Sequence, residues 1–170
     1  YVAGKLTIKK ATLKITAKDQ EYVYNGAAQG EDNTTYTDDS KVTVEGLQGS
    51  DALTSITLNG QETNVGEYAG KIVPSAAQIG ENTGNYEIEY VAGKLTIKKA
   101  ELTITAKPQT YTYNGEAQGP AGTYTEGFDT YVTISGLQGE DALTSVTLAG
   151  KQTNAGTYTG EIVPSAAAIG

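Results

Sequence analysis

Eleven residues, Tyr1 to Ala11 (YVAGKLTIKKA), recur unchanged as Tyr90 to Ala100. A chain that copies itself at this spacing builds its fold from a small unit, because each copy carries the same pattern of apolar and polar positions. Leu13–Gly30 returns as Leu102–Gly119, Gly46–Leu58 as Gly136–Leu148, and Gln61–Gly80 as Lys151–Gly170. The offset is 89 residues early and 90 later, so the second copy gains one residue. That residue falls where the copies differ most, Glu31–Lys41 (EDNTTYTDDSK) against Pro120–Thr130 (PAGTYTEGFDT). Divergence and a length change together mark a surface loop. A repeat of this size buries only about 60–65% of its unfolded surface, so neither copy has a deep core to spare.

Alternation says what the unit is made of. Leu13, Ile15 and Ala17 alternate with Lys14, Thr16 and Lys18, and Leu95 and Ile97 with Lys94, Thr96 and Lys98. A period of two belongs to strands with one buried and one wet face. No segment holds a helical period. The pattern predicts strands at 12–18, 21–25, 41–45, 54–59, 67–73, 85–91 and 94–99. Turn signals such as Asn25-Gly26 and Asn59-Gly60 punctuate them. Such a series predicts an all-β fold of tandem antiparallel β-sandwiches, immunoglobulin-like in kind. The alternative is a β-grasp-like repeat with a short helix, for which Ser50–Thr54 and Ser75–Ile79 each offer one helical turn. Asn64–Tyr68 (NVGEY) and Asn154–Tyr158 (NAGTY) favour the sandwich. Both read as structural tyrosine corners, in which the hydroxyl of Tyr68 or Tyr158 bonds back to nearby backbone.

The phase of the repeats sets the domain reading. Residues 1–11 are read as the final strand of a preceding repeat, 12–100 as a complete repeat, and 101–170 as a second repeat truncated at its C-terminal side. The second repeat then lacks the counterpart of Glu81–Lys99, which leaves unpaired strand edges and apolar side chains. Residues 1–10 are a ready copy of the final strand. Head-to-tail self-association is therefore expected, with residues 1–10 of one chain completing the second repeat of the next. Neighbouring repeats of the same protein are the other expected partners. Lys99-Ala100-Glu101 joins the copies with no long Gly/Ser-rich or Pro-rich linker, so swivelling at the junction is expected to be limited.

Several function classes drop out on composition. His, Cys, Met, Trp and Arg are all absent, and the 12 basic residues are all Lys. The usual general base, the commonest metal ligand and the bidentate phosphate reader are missing. No catalytic, cofactor or metal site is expected, and the chain is read as no enzyme. A net charge of −8 argues against nucleic acid. No apolar run approaches the ~20 residues of a membrane span, so no membrane insertion is expected. The charge is uneven: Tyr1–Lys18 holds five Lys and no acid, whereas Asp19–Glu89 is dominated by Asp and Glu. Lys on strand faces guards edges against unwanted pairing.

The ordered motifs Leu102–Lys107 (LTITAK), Tyr111–Gln118 (YTYNGEAQ), Asn154–Tyr158 (NAGTY), Gly84–Tyr90 (GNYEIEY) and Gly93–Ala100 (GKLTIKKA) resemble the MBG repeat family. The resemblance spans nearly the whole chain, in order and spacing as well as in words. It implies a β-rich, non-catalytic module found in tandem in large bacterial surface and adhesin-like proteins. It also implies an extracellular location on a bacterial cell surface, wall-anchored through other parts of a parent protein. The expected role is a structural stalk or adhesion repeat. The alternative is a glycan- or mucin-binding adhesin repeat acting by avidity.

Candidate contact residues follow from the tyrosines. There are 12 Tyr beside one Phe and no Trp. Tyr in strands packs a core edge with its hydroxyl in water, and Trp, the usual sugar-stacking platform, is absent. If a host glycan or matrix ligand is bound, Tyr36, Tyr124 and Tyr131, in or beside the divergent loop, form the expected contact loop. Asp32, Asn33, Asp38 and Asp39 are better read as an acidic solvated loop than as a Ca²⁺ site, since the second copy loses most of these oxygens. A Lys–Asn crosslink joining Lys14 or Lys18 to Asn64 or Asn85 would need a buried lysine.

Overall fold

A computed structural model describes residues 1–170, and the chain divides into two units, residues 1–99 and 100–170. Neither contains an α-helix. The only helical turns are three-residue 3-10 turns at Thr83–Asn85 and Phe128–Thr130. The β-grasp alternative, which needs a helix on its sheet, is therefore not what this chain forms.

The first unit has eight strands: β1 (Ala11–Ala17), β2 (Gln20–Val23), β3 (Gln29–Tyr36), β4 (Val42–Glu45), β5 (Ser55–Glu62), β6 (Gly66–Gln78), β7 (Tyr86–Val91) and β8 (Gly93–Lys98). They form two sheets, ordered β4-β1-β7 and β2-β8-β6-β5-β3. One core lies between them. Leu13, Ile15, Ala17 and Val42 come from the smaller sheet, and Ile56, Leu58, Ile72, Leu95 and Ile97 from the larger. These are the alternating positions of the sequence, so the period-two pattern maps directly onto the inner faces.

The sheets are mixed rather than wholly antiparallel. β1 and β7 pair in parallel, as do β2 and β8. The cause is a matched pair of crossings. The chain passes from the smaller to the larger sheet at Lys18–Asp19, after β1, and again at Ala92, after β7, so the strands flanking each crossing run side by side. The crossings are fastened together. Asp19 Oδ1 accepts the Lys94 backbone N–H at 2.6 Å, and a Cβ at Gly93 would lie under 3.0 Å from the carbonyl oxygens of Ala17 and Lys18. Only glycine lets the two crossings approach this closely.

Three local expectations are corrected. Ser75–Gln78 continues strand β6 instead of making a helical turn; Ala76 sits there at φ 51° beside a bulge in the β5–β6 register. Ser50–Thr54 is a turn and extended chain. The divergent segment also begins as a strand, because β3 runs to Tyr36 and pairs with β5.

The second unit contains β9 (Thr103–Ala106), β10 (Gly122–Tyr124), β11 (Val132–Ser135), β12 (Leu143–Ala149) and β13 (Val163–Ile169). Its sheets are β11-β9 and β10-β12-β13. Val132, Leu143, Val146 and Leu148 make its core, with Ile104, Tyr124, Phe128, Tyr131 and Ile134 against them. Registers repeat between the units: Thr123 faces Thr147 as Thr35 faces Thr57, and in each pair the hydroxyls bond across the strands. Residues 1–10 form no strand and are exposed.

Candidate functional site

The divergent segment holds an unexpected group, a buried carboxylate. Glu31 is 3% exposed and lies in β3, facing the core. It accepts Gln20 Nε2–H at 2.7 Å and the Tyr36 hydroxyl at 2.8 and 2.9 Å. Lys41 Nζ stands 3.9 Å away and also lies over the Tyr36 ring. The Tyr22 hydroxyl donates to Gln20 Oε1 at 2.8 Å, which extends the chain of bonds along β2. Every polar atom here has a partner within the unit, as a buried network requires.

The tyrosine environments follow. Tyr36 is pushed up to about 12, first by burial, then by its bond to Glu31 and by that residue's charge. Tyr22 is raised by burial and by Glu31. Raised values stabilise the neutral phenol in the folded unit relative to the unfolded chain, where tyrosine titrates near 10. The stability from Tyr36 is thus complete below pH ~10 and lost as pH rises through ~12. The denaturant midpoint of the first unit is expected to fall across that window. Tyr36→Phe, compared at the same pH values to subtract lysine titration, is expected to shed part of the fall. An unchanged alkaline slope in Tyr36→Phe would count against the assignment.

Each of the three candidate contact tyrosines is engaged within its own unit. Tyr36 uses its hydroxyl on Glu31. In the second unit Pro120 occupies the place of Glu31, and Tyr124 and Tyr131 pack against each other, ring centroids 4.9 Å apart. All three rings are half-buried against their own cores. Tyr68 and Tyr158 donate to the backbone carbonyls of Asn64 and Asn154 at 2.9 and 3.0 Å, the same bond in both units. A Cβ on Gly66 would touch the Tyr68 ring, and one on Gly156 the Tyr158 ring, so the glycine before each tyrosine makes room for it.

No cluster of three or more Asp or Glu side chains is placed to hold a metal. Asp38 instead caps its own loop, accepting the Ser40 N–H at 2.9 Å, and bonding to Ser40 holds its carboxyl below the usual range. Lys14, Lys18, Asn64 and Asn85 are all exposed, which removes the buried lysine that a crosslink requires. A second polar knot was not anticipated from the sequence. The Tyr86 hydroxyl donates to Asp51 Oδ2 at 2.6 Å and accepts the Gln48 N–H at 2.9 Å, tying β7 to the loop after β4.

A concavity lies within the second unit. It is an open groove of about 660 Å³ whose lining includes Gln109, Tyr111, Tyr113, Gly156, Tyr158 and Ile162. These six residues lie in irregular chain, whereas the first-unit counterparts of Gln109 and Tyr111 belong to β2 and those of Gly156, Tyr158 and Ile162 to β6.

Residues 13–96 match the family model of the MBG domain (YGX type). No curated protein and no solved structure matches the chain. MBG domains are non-catalytic repeat modules typical of bacterial surface proteins. No helix of the chain is long and apolar enough to cross a membrane. The matched segment runs from Leu13 in β1 to Thr96 in β8 and so takes in both sheets of the first unit, which belongs to the MBG domain family, YGX type.

Proposed function

We propose that this chain is part of a non-catalytic stalk in a bacterial cell-surface protein, where copied sandwiches hold a more distal region away from the wall. The observation that supports it most is how the divergent loop is used. A shared ligand needs similar groups presented by both copies, but here the loop residues serve each unit's own core in different ways. Tyr36 is bonded to a buried carboxylate, and Tyr124 is packed on Tyr131. The extracellular, wall-anchored placement rests on the family to which the first unit belongs.

The competing reading is a glycan- or mucin-binding repeat. Screening the chain, immobilised at high density, against a glycan and mucin array tests the two. No saturable capture is expected. Saturable capture of one glycan class, weakened by Tyr36→Ala or Tyr131→Ala with folding intact, would overturn the stalk reading in favour of adhesion.

A further inference from the structure

Gln20 and Glu31 are the buried polar side chains of the chain, and they bond to each other. Around them the first unit gathers groups of complementary chemistry. Glu31 Oε1 stands 2.7 Å from Gln20 Nε2 and 3.9 Å from Lys41 Nζ, so one carboxylate oxygen faces both an amide nitrogen and an amine. The Tyr22 hydroxyl donates to Gln20 Oε1 at 2.8 Å and polarises the same amide from its carbonyl side. The Tyr36 hydroxyl donates to both oxygens of Glu31 and holds the carboxylate in place. The other lysine–glutamate pairs, Lys71–Glu62, Lys94–Glu67 and Lys98–Glu21, join partners that are both partly exposed and bond to no buried amide.

We propose that Gln20 and Lys41 are a self-crosslinking pair, in which the Lys41 amine displaces ammonia from the Gln20 side-chain amide and Glu31 carries the protons. Glu31 takes a proton from the Lys41 ammonium, which frees the electron pair on Nζ. Nζ attacks Cδ of Gln20, and the carbonyl electrons move to Oε1, where the Tyr22 hydroxyl meets the growing charge. Glu31 relays protons from Nζ to Nε2, the Cδ–Nε2 bond breaks, and the leaving group departs as ammonium. One proton of the Lys41 ammonium stays on the new amide and the others leave with Nε2, so atoms and charge balance with no outside reagent. Gln20 is held at both ends of its amide, and Lys41, half-exposed, is the reactant with freedom to close the remaining gap. Holding both on one carboxylate removes much of the entropic cost of bringing amine to amide.

The product ties β2 of the larger sheet to the residue before β4 of the smaller one, a covalent link between the two sheets. The second unit keeps Gln109 and Tyr111 at the places of Gln20 and Tyr22, but Pro120 and Tyr131 stand for Glu31 and Lys41. It has the amide without the base or the amine, so a single link per chain is expected. The inference stands apart from the stalk reading, since glycan capture would leave it untouched.

The test is the intact mass of the whole chain, followed by peptide mapping. Wild type is expected to weigh one ammonia less than its sequence, with the peptide holding Gln20 joined to the peptide holding Lys41. Lys41→Arg keeps a charge beside Glu31 but has no primary amine, so full mass is expected, with circular dichroism unchanged. Glu31→Gln, compared while folded, is expected to form the link at least about a hundredfold more slowly. Full mass in folded wild type, both fresh and after prolonged incubation at neutral pH, overturns the proposal. So does an ammonia loss that persists in Lys41→Arg, which marks a succinimide at an Asn-Gly pair such as Asn25-Gly26. A link that forms in Glu31→Gln at the wild-type rate overturns the role given to the carboxylate.

Discussion

Gly60→Ala is expected to be among the most damaging single substitutions in the first unit, at about 3 kcal/mol or more. Gly60 lies in β5 at φ 140°, beside Glu31 of β3. A Cβ there would stand under 3.0 Å from the Lys71 carbonyl oxygen, and a Cβ at Gly30 would stand as close to the carbonyl of Gly60. Three backbones thus meet with no room for a methyl group, and both obstacles are main-chain atoms that cannot swing aside. Alanine must either part β5 from β6, next to the buried Leu58 and Ile72, or abandon a conformation that L-residues rarely adopt.

A control separates strain from collision. Gly49 also has positive φ, at 59°, but nothing lies within 4 Å of a Cβ built on it. Gly49→Ala is therefore expected to cost only about 1 kcal/mol, the left-handed penalty alone. For a unit of this size the difference corresponds to a drop of roughly 10 °C in Tm. Thermal unfolding read from β5 amides would show it, and equal losses in the two variants would refute the collision argument. Gly150 repeats the arrangement against Glu161 and Ile162, so the same substitution there is expected to act on the second unit.

Much of this fold was legible because alternation is a direct trace of burial. Leu13, Ile15, Ile56, Leu58, Leu95 and Ile97 stand out in the sequence and are the core. The all-β class and most strand positions followed from them. What stayed hidden was hidden for physical reasons. β3 (QGEDNTTY) carries no apolar alternation, because the side chain that it turns inward is Glu31. A carboxylate reads as surface until its partners are known, and of those partners Gln20 lies on β2 and Tyr36 five residues further along β3. The parallel pairings were hidden too, since alternation gives faces and not directions. Ser75–Ile79 looked like a helical turn from its alanines, but pairing with β5 outweighs weak local propensity. The tyrosines of the divergent loop were visible as residues, while their uses depended on a buried acid in one copy and a ring neighbour in the other.

That buried acid makes the second large prediction. Glu31→Ala is expected to destabilise the first unit by about 3 kcal/mol, most of it from what is left behind. The Gln20 amide and the Tyr36 hydroxyl would lose their acceptor in an interior that water does not reach freely, and a hole would open beside them. Glu31→Gln keeps the volume and one acceptor oxygen but sets an N–H₂ group against existing donors, so an intermediate loss of about 1–2 kcal/mol is expected. Adding Tyr36→Phe to Glu31→Ala removes one orphaned donor, and the double variant is expected to lose less than the sum of the singles. The second unit shows how the position is filled without a charge. Pro120 is buried there, and Gln109, the counterpart of Gln20, turns its amide to the Thr130 carbonyl at 3.1 Å. Residue-resolved denaturation should therefore show the loss in β3, β5 and β6 while β12 and β13 keep their stability. A cost for Glu31→Ala below about 0.5 kcal/mol, the range of ordinary surface changes, would mean that the carboxylate is reached by water and that the network does not hold β3 in place.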